Sequence, residues 1–200
     1  MNSQQVLPIL YGGATSPFAR MTKIYGDFLD VEFTYKSIDI YSAEFIDPFN
    51  PLRQIPTLVT EKDEAIYDSR TIFSFFEHLA NQPNEKTDFQ ETTRISLALG
   101  MSDACLQYRM ETVLPEDAQN QVKLDKLKQR MNRCVAKLES FADITHSKNV
   151  NLEQIVLACA LEYLDFRYTK EWRNACPKLS NWLSEFSMRT DMQETRPPQA

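Results

Sequence analysis

Asn50-Pro51-Leu52-Arg53-Gln54-Ile55-Pro56-Thr57-Leu58-Val59 sets a proline at the very entrance to a β-branched run. Proline has no N–H to give a ladder, so one reading is an edge strand that begins at Pro56. In the other, Ile55-Pro56 is cis, a state of about 5% of X-Pro bonds, and the turn aims the Ile55 backbone outward to pair with a peptide ligand. Sequence does not decide the isomer. Working outward from this run, Val6 to Tyr11 and Val31 to Ile40 read as strands on either side of a helical stretch, Pro17 to Leu29. Ser42 to Pro48 reads as a short polar helix or loop. Beyond the proline come the strand Thr57 to Val59, a turn at Glu61 to Glu64, and a strand at Ala65 to Tyr67. Ser69 to Leu79 then has Ile72, Phe73, Phe76 and Leu79 on one side of a helix. The order is βαβ followed by ββα.

Asn81 to Asp88, with Pro83 and Asn84, has loop composition and marks a boundary, giving domains 1–83 and 84–200. Everything beyond it has helical periodicity. Phe89 to Val113 carries Ile95, Leu99, Ser102, Leu106 and Met110 at helical spacing. Glu116 to Ile144 repeats the pattern through Val122, Leu127, Met131, Val135 and Leu138, read as one buried face. Leu152 to Leu164 is apolar enough to be a central helix enclosed by the others. Lys178 to Met188 closes the bundle, and Arg196 to Ala200 reads as a loose tail. The expected architecture is a small α/β domain followed by an all-α domain.

The 200 residues are 42% hydrophobic and 25% charged, the balance of a soluble globular chain with a substantial core. A net charge of -6 repels phosphate backbones, and the basic Lys123 to Lys128 stretch is interrupted by Asp125, so nucleic acid is not an expected partner. Cys105, Cys134, Cys159 and Cys176 form no Cys-x-x-Cys pair, and His78 and His146 have no partners at metal or triad spacing. No metal is expected; both histidines read as surface or helix-end residues. The polar start lacks a signal peptide's apolar core, and no run approaches the roughly 20 apolar residues of a membrane span. The expected location is cytoplasmic.

Two further segments sit where strands give way to helices, the places where α/β folds bind small ligands. In Thr15-Ser16-Pro17-Phe18-Ala19-Arg20, serine followed by proline is a good helix start. The same hydroxyl and helix terminus are also suited to stabilising a thiolate. Lowering a thiol pKa by two units from about 8.5 takes roughly 2.7 kcal/mol, within reach of a charge-assisted bond plus a dipole. In Tyr67-Asp68-Ser69-Arg70, Ser69 and neighbouring N–H groups suit an α-carboxylate and Asp68 suits an amino group, while either residue alone is an ordinary helix cap.

Taken together, Ser16-Pro17-Phe18-Ala19-Arg20, Asn50-Pro51 through Ile55-Pro56-Thr57-Leu58, and Asp68-Ser69 resemble the glutathione transferase family in order and spacing. Leu157 to Tyr168 and Cys176-Pro177-Lys178-Leu179 resemble its central and late helices, so the likeness covers nearly the whole chain, with small bacterial members having a Ser-Pro-Phe start standing nearest. The resemblance implies a thioredoxin-like N-terminal domain, a helical C-terminal domain walling an apolar second pocket, and a homodimer. It implies glutathione as co-substrate, held by Ser16, Phe18, Arg53, Gln54, Ile55, Pro56, Asp68 and Ser69, with Ser16 at the sulfur and Tyr11 as the alternative activator. Serine there favours conjugation of the thiolate to a small apolar electrophile; cysteine would favour a mixed disulfide.

Three departures stand out. Gln54, with Arg53 beside it, replaces the lysine that often reaches the glycyl carboxylate. Asp68-Ser69 replaces a Glu-Ser pair. Asn151 and Gln154 stand where the central helix has a Ser or Thr cap and an Asp. For the second pocket the resemblance points to the first long helix, at Met101, Cys105, Tyr108 and Arg109, with Phe166 and Trp172 further candidates. The competing readings are a non-catalytic interaction protein of the stringent starvation type and a glutathione-dependent peroxidase or reductase.

Overall fold

The computed structural model describes residues 6–82, 88–142 and 149–198. In the first of its two compact units, β1 (Ile9–Gly12), β2 (Thr34–Ser37), β3 (Thr57–Val59) and β4 (Ala65–Ile66) form one sheet in the order β2-β1-β3-β4. β1 runs parallel to β2 and antiparallel to β3, and β4 runs antiparallel to β3. The crossover between the parallel pair is α1 (Pro17–Phe28), and α2 (Ser69–Leu79) follows β4. This is the expected βαβ-ββα order. β3 lies between β1 and β4, which corrects the edge-strand reading: Pro56 stands one residue before a strand paired on both sides, where its missing N–H costs the ladder nothing.

Alternation along the strands feeds two cores. Leu10 and Leu58 meet Ile72 and Phe76 of α2, with Phe33, Tyr35 and Ile66 packed against them. Tyr11 and Val59 point the other way, to Ile46 of a single 3-10 turn at Glu44–Ile46. Gly26 lets α1 come close: a Cβ there would lie 2.6 Å from the Phe33 ring and 2.8 Å from that of Phe76.

The second unit takes the described residues from 88 to 194. It contains α3 (Phe89–Thr112), α4 (Gln121–Glu139), α5 (Leu152–Arg167), α6 (Trp172–Ala175), α7 (Pro177–Phe186) and α8 (Thr190–Glu194). α5 is the enclosed central helix, buried continuously from Glu153 to Leu161 and packed against α3. At its start Asn151 Oδ1 accepts the Gln154 N–H at 3.0 Å, one half of a capping pair. Beside it the Arg94 guanidinium donates to both oxygens of Glu153, at 2.5 and 2.9 Å.

Some local readings are corrected. Glu116–Ala118 is a separate 3-10 turn, and α4 begins at Gln121 because Asn120 caps it by accepting the Lys123 N–H. Val122 therefore lies in the first turn and is 64% exposed, while Leu124 joins Leu127, Met131, Val135 and Leu138 on the buried face. α6 and α8, of four and five residues, are too short to show a period. Residues 195–198 group with the first unit, where Arg20 Nε donates to Thr195 Oγ1 at 3.1 Å. The expected boundary at 83/84 and His146 lie outside the described residues.

Candidate functional site at one end of the sheet

Strand direction brings the three segments together. β1 is antiparallel to β3 with Tyr11 opposite Thr57, so the loop leaving β1 toward Ser16 and the loop entering β3 through Ile55-Pro56 share one end of the sheet. β4 is antiparallel to β3 with Ile66 opposite Leu58, which brings Tyr67-Asp68-Ser69 to the same end. The loops touch at Gly13, where a Cβ would lie 2.7 Å from Ile55 Cδ1.

Ser16 is the N-cap of α1, its Oγ accepting the Ala19 N–H at 3.2 Å. A hydroxyl that accepts through a lone pair keeps its own proton to donate, so capping and contact with a thiolate are compatible roles. No acidic residue occupies the first turn of α1, leaving the positive end of the helix dipole uncompensated from within. Phe18 is half-buried in that turn.

Both Ile55-Pro56 and Tyr67-Asp68 are cis peptides. Neither the N–H nor the C=O of Ile55 forms a hydrogen bond among the described residues. The loop is held from behind by Asn50, which is 1% exposed. Its Nδ2 donates to the Gln54 carbonyl at 3.1 Å and to Thr57 Oγ1 at 2.8 Å, and its Oδ1 accepts the Leu52 N–H at 3.0 Å. Thr57 Oγ1 in turn donates to the Gln54 carbonyl at 2.8 Å. Sequence reading assigned no role to Asn50 or Thr57; an Asn seven residues before a buried Thr was the available signal.

At the start of α2, Asp68 Oδ1 accepts the Arg70 N–H at 3.1 Å. Ser69 is 5% exposed, yet its hydroxyl has no hydrogen-bond partner among the described residues. A hydroxyl left without a partner at a helix N-terminus is suited to receive an anion.

The remaining candidates are placed differently. Tyr11 packs its ring against Ile46, Val59 and, at 5.4 Å between centroids, Phe45. Arg53 adopts φ 52 and is committed to Asp47 by bonds of 2.7 and 2.9 Å, which leaves exposed Gln54 the freer side chain. On α3, Met101 and Cys105 are 0% and 1% exposed. Burial pushes the Cys105 thiol up to about 12, and its sulfur lies 3.9 Å from the Tyr163 carbonyl. Both side chains are packed into the helical core rather than presented at the surface. Tyr108 and Arg109 are half-buried. Trp172 is buried, its Nε1–H donating to Asp165 at 2.8 Å, and Phe166 stacks under Arg167. Among the described residues no group of three or more His, Cys, Asp and Glu is placed to hold a metal, and no helix is long and apolar enough to cross a membrane.

Residues 15–79, the span containing all three segments, match the glutathione S-transferase N-terminal domain. Over 202 aligned residues the chain is 32% identical to the uncharacterized GST-like protein YibF of Escherichia coli (strain K12), covering 96% of this chain and 99% of that one. Among solved structures it is similar to a glutathione transferase family member from Pseudomonas fluorescens Pf-5. That protein with bound glutathione superposes with a TM-score of 0.84 at 28% identity, over 96% of this chain and 99% of that chain. The same protein with bound S-(propanoic acid)-glutathione gives 0.82 at 27% identity, over 96% and 98%. With a thioredoxin-like unit, a helical unit and a relative matched along nearly its whole length, the chain belongs to the glutathione transferase family.

Proposed function

We propose that the chain binds glutathione at the end of its sheet and, as a transferase, conjugates the thiolate to a small electrophile. The observation that carries this reading is the Ser69 hydroxyl without a partner, on a residue 5% exposed, at the same sheet end as the open Ile55 backbone and the Ser16 hydroxyl. A tripeptide with an α-carboxylate at one end and a thiol in the middle matches those groups. Ser69 and the α2 N-terminus receive the γ-glutamyl carboxylate, and Asp68 the amino group. Ile55, presented by Pro56, pairs with the cysteinyl backbone, and Gln54 receives the glycyl carboxylate, with Arg53 already held by Asp47. Ser16, beside Phe18, donates to the sulfur and keeps it a thiolate near neutral pH. The thiolate sulfur forms the new C–S bond as the electrophile takes up a proton or loses its leaving group.

The S-(propanoic acid)-glutathione held by the Pseudomonas protein supports conjugation over reduction, as does serine rather than cysteine at the sulfur. The division of labour between an N-terminal glutathione domain and a C-terminal helical domain, the homodimer and the cytoplasmic location belong to the same proposal.

The test is calorimetric titration of the full chain with reduced glutathione, alongside Ser69→Ala. Saturable binding, weakened about tenfold or more in the variant by loss of a charge-assisted bond, is the expected result. No saturation up to millimolar glutathione sinks the enzyme reading in favour of a protein-interaction role.

A further inference from the structure

Ser16, Ile55 and Ser69 gather at the end of the sheet where β1 finishes. The opposite end of the same unit holds a cleft of about 540 Å³. Val6, Leu7, Pro8, Val31, Leu79 and Ala80 give it an apolar lining, in which Val6 and Leu79 are left 69% and 42% exposed. Three exposed acidic residues complete it: Asp30 and Glu32 between α1 and β2, and Glu61 in the turn between β3 and β4.

The strand register places two of them. β1 pairs Ile9 with Thr34 of β2, parallel, and with Val59 of β3, antiparallel. Carried two residues back from Ile9, that register sets Leu7 level with Glu32 on one side and Glu61 on the other. Neighbouring strands lie about 4.8 Å apart, so the two acidic positions flank the leucine at a separation of about 10 Å.

This charge is uncompensated among the described residues. Asp27 pairs with Lys23 and Asp47 with Arg53, but Asp30, Glu32 and Glu61 form no ion pair, and Lys62, next in sequence to Glu61, pairs with none of them. α1 and α2 end beside the cleft, at Phe28 and Leu79, so the negative ends of two helix dipoles add to the carboxylates. The last turn of α1 carries no basic residue, and His78 of α2 does not line the cleft. Acidic groups at helix C-termini reverse the arrangement that stabilises a helix, a local conflict that a bound cation removes.

We propose that this cleft binds a linear aliphatic diamine or polyamine in its ammonium form. One ammonium group takes Glu32 and a second takes Glu61, while the methylene chain between them lies over Leu7 and the neighbouring apolar lining. A six-methylene chain has about the reach that the register requires. An exposed ion pair alone contributes at most about fivefold in affinity. Joining two through one apolar chain makes the second contact intramolecular and adds burial of the methylenes, so the cleft selects charge at both ends and an apolar body between. Asp30 offers a third acceptor to a longer polyamine. The cleft lies away from Ser16 and Ser69, so it stands independently of glutathione binding.

Hexamethylenediamine is titrated calorimetrically into the full chain at low salt and neutral pH, alongside hexylamine, ethylenediamine and magnesium chloride. Saturable binding of hexamethylenediamine is expected, about tenfold or more tighter than that of the other three, and weakened about fivefold in Glu32→Gln and in Glu61→Gln. Glu64→Gln, in the same turn as Glu61 but outside the cleft, leaves it unchanged. Absence of saturation, equal affinity for ethylenediamine or magnesium, or an equal loss in Glu64→Gln overturns the proposal in favour of a general response of an acidic surface. Hexylamine binding as tightly as the diamine overturns the two-ended assignment. Far-UV circular dichroism checks each variant's fold; should one of the two cleft variants fail it, the other decides.

Discussion

Replacing Asn50 by alanine tests whether the loop before β3 is held as its hydrogen bonds indicate. The substitution removes three hydrogen bonds, at 3.1, 2.8 and 3.0 Å, from a side chain that is 1% exposed. At about 0.5–1.5 kcal/mol net for each, the loss is about 2–4 kcal/mol. Two features place it toward the lower half of that range: the Gln54 carbonyl keeps its bond from Thr57 Oγ1, and the Leu52 N–H belongs to an exposed residue and can turn to water. Asn50→Asp separates the donor from the shape, because a carboxylate in the same pocket faces the Gln54 carbonyl oxygen. It is expected to be at least as destabilising as alanine at pH 7, and to recover as acid neutralises a carboxyl whose buried site raises its pKa. Urea unfolding followed by far-UV circular dichroism measures both, and glutathione titration of each variant reports whether Ile55 has moved. An alanine variant within about 0.5 kcal/mol of wild type, with unchanged glutathione affinity, refutes the reasoning.

The ion pair between Arg94 and Glu153, each 8% exposed, gives a second test: Glu153→Gln leaves a buried guanidinium without its counter-charge, at a cost of about 3–5 kcal/mol. Arg94→Met with Glu153→Leu recovers most of it; Trp172 and Trp182 both lie in the helical unit, so tryptophan fluorescence in urea reads the change. Glu111 predicts a pH dependence, its carboxyl held below the usual range by the Lys123 ammonium at 2.7 Å and by the Asn120 N–H. A carboxyl whose folded pKa is depressed contributes stability above its unfolded value, about 4.3, and loses it as pH falls through the folded one. The gap in urea midpoint between wild type and Glu111→Gln is therefore expected at pH 7 and closed in stronger acid; a constant gap refutes the assignment.

Much of the fold was legible because local chemistry and tertiary structure agree. Ser16 before Pro17 starts a helix on any scaffold, and the apolar run from Leu152 forces an enclosed helix wherever it is placed. Reading stopped short where a signal has two physical meanings. The resemblance put Met101 and Cys105 beside Tyr108 and Arg109 on α3, and packing against α5 leaves the first two buried. Val122 fits the apolar period of α4 but falls in its first turn, on the exposed side of the Asn120 cap.

The sequence by itself determined the three motif segments at the strand ends, the order of elements and the family, because turn-forming prolines, capping residues and apolar periods act over a few neighbouring positions. Tertiary structure alone decided that β3 is an inner strand and that Asn50 anchors the loop behind Ile55. It also decided that Arg53 is spent on Asp47. Each of these depends on which distant groups share a low-dielectric space, and pairing across that space is a property of the folded chain rather than of any local run of residues.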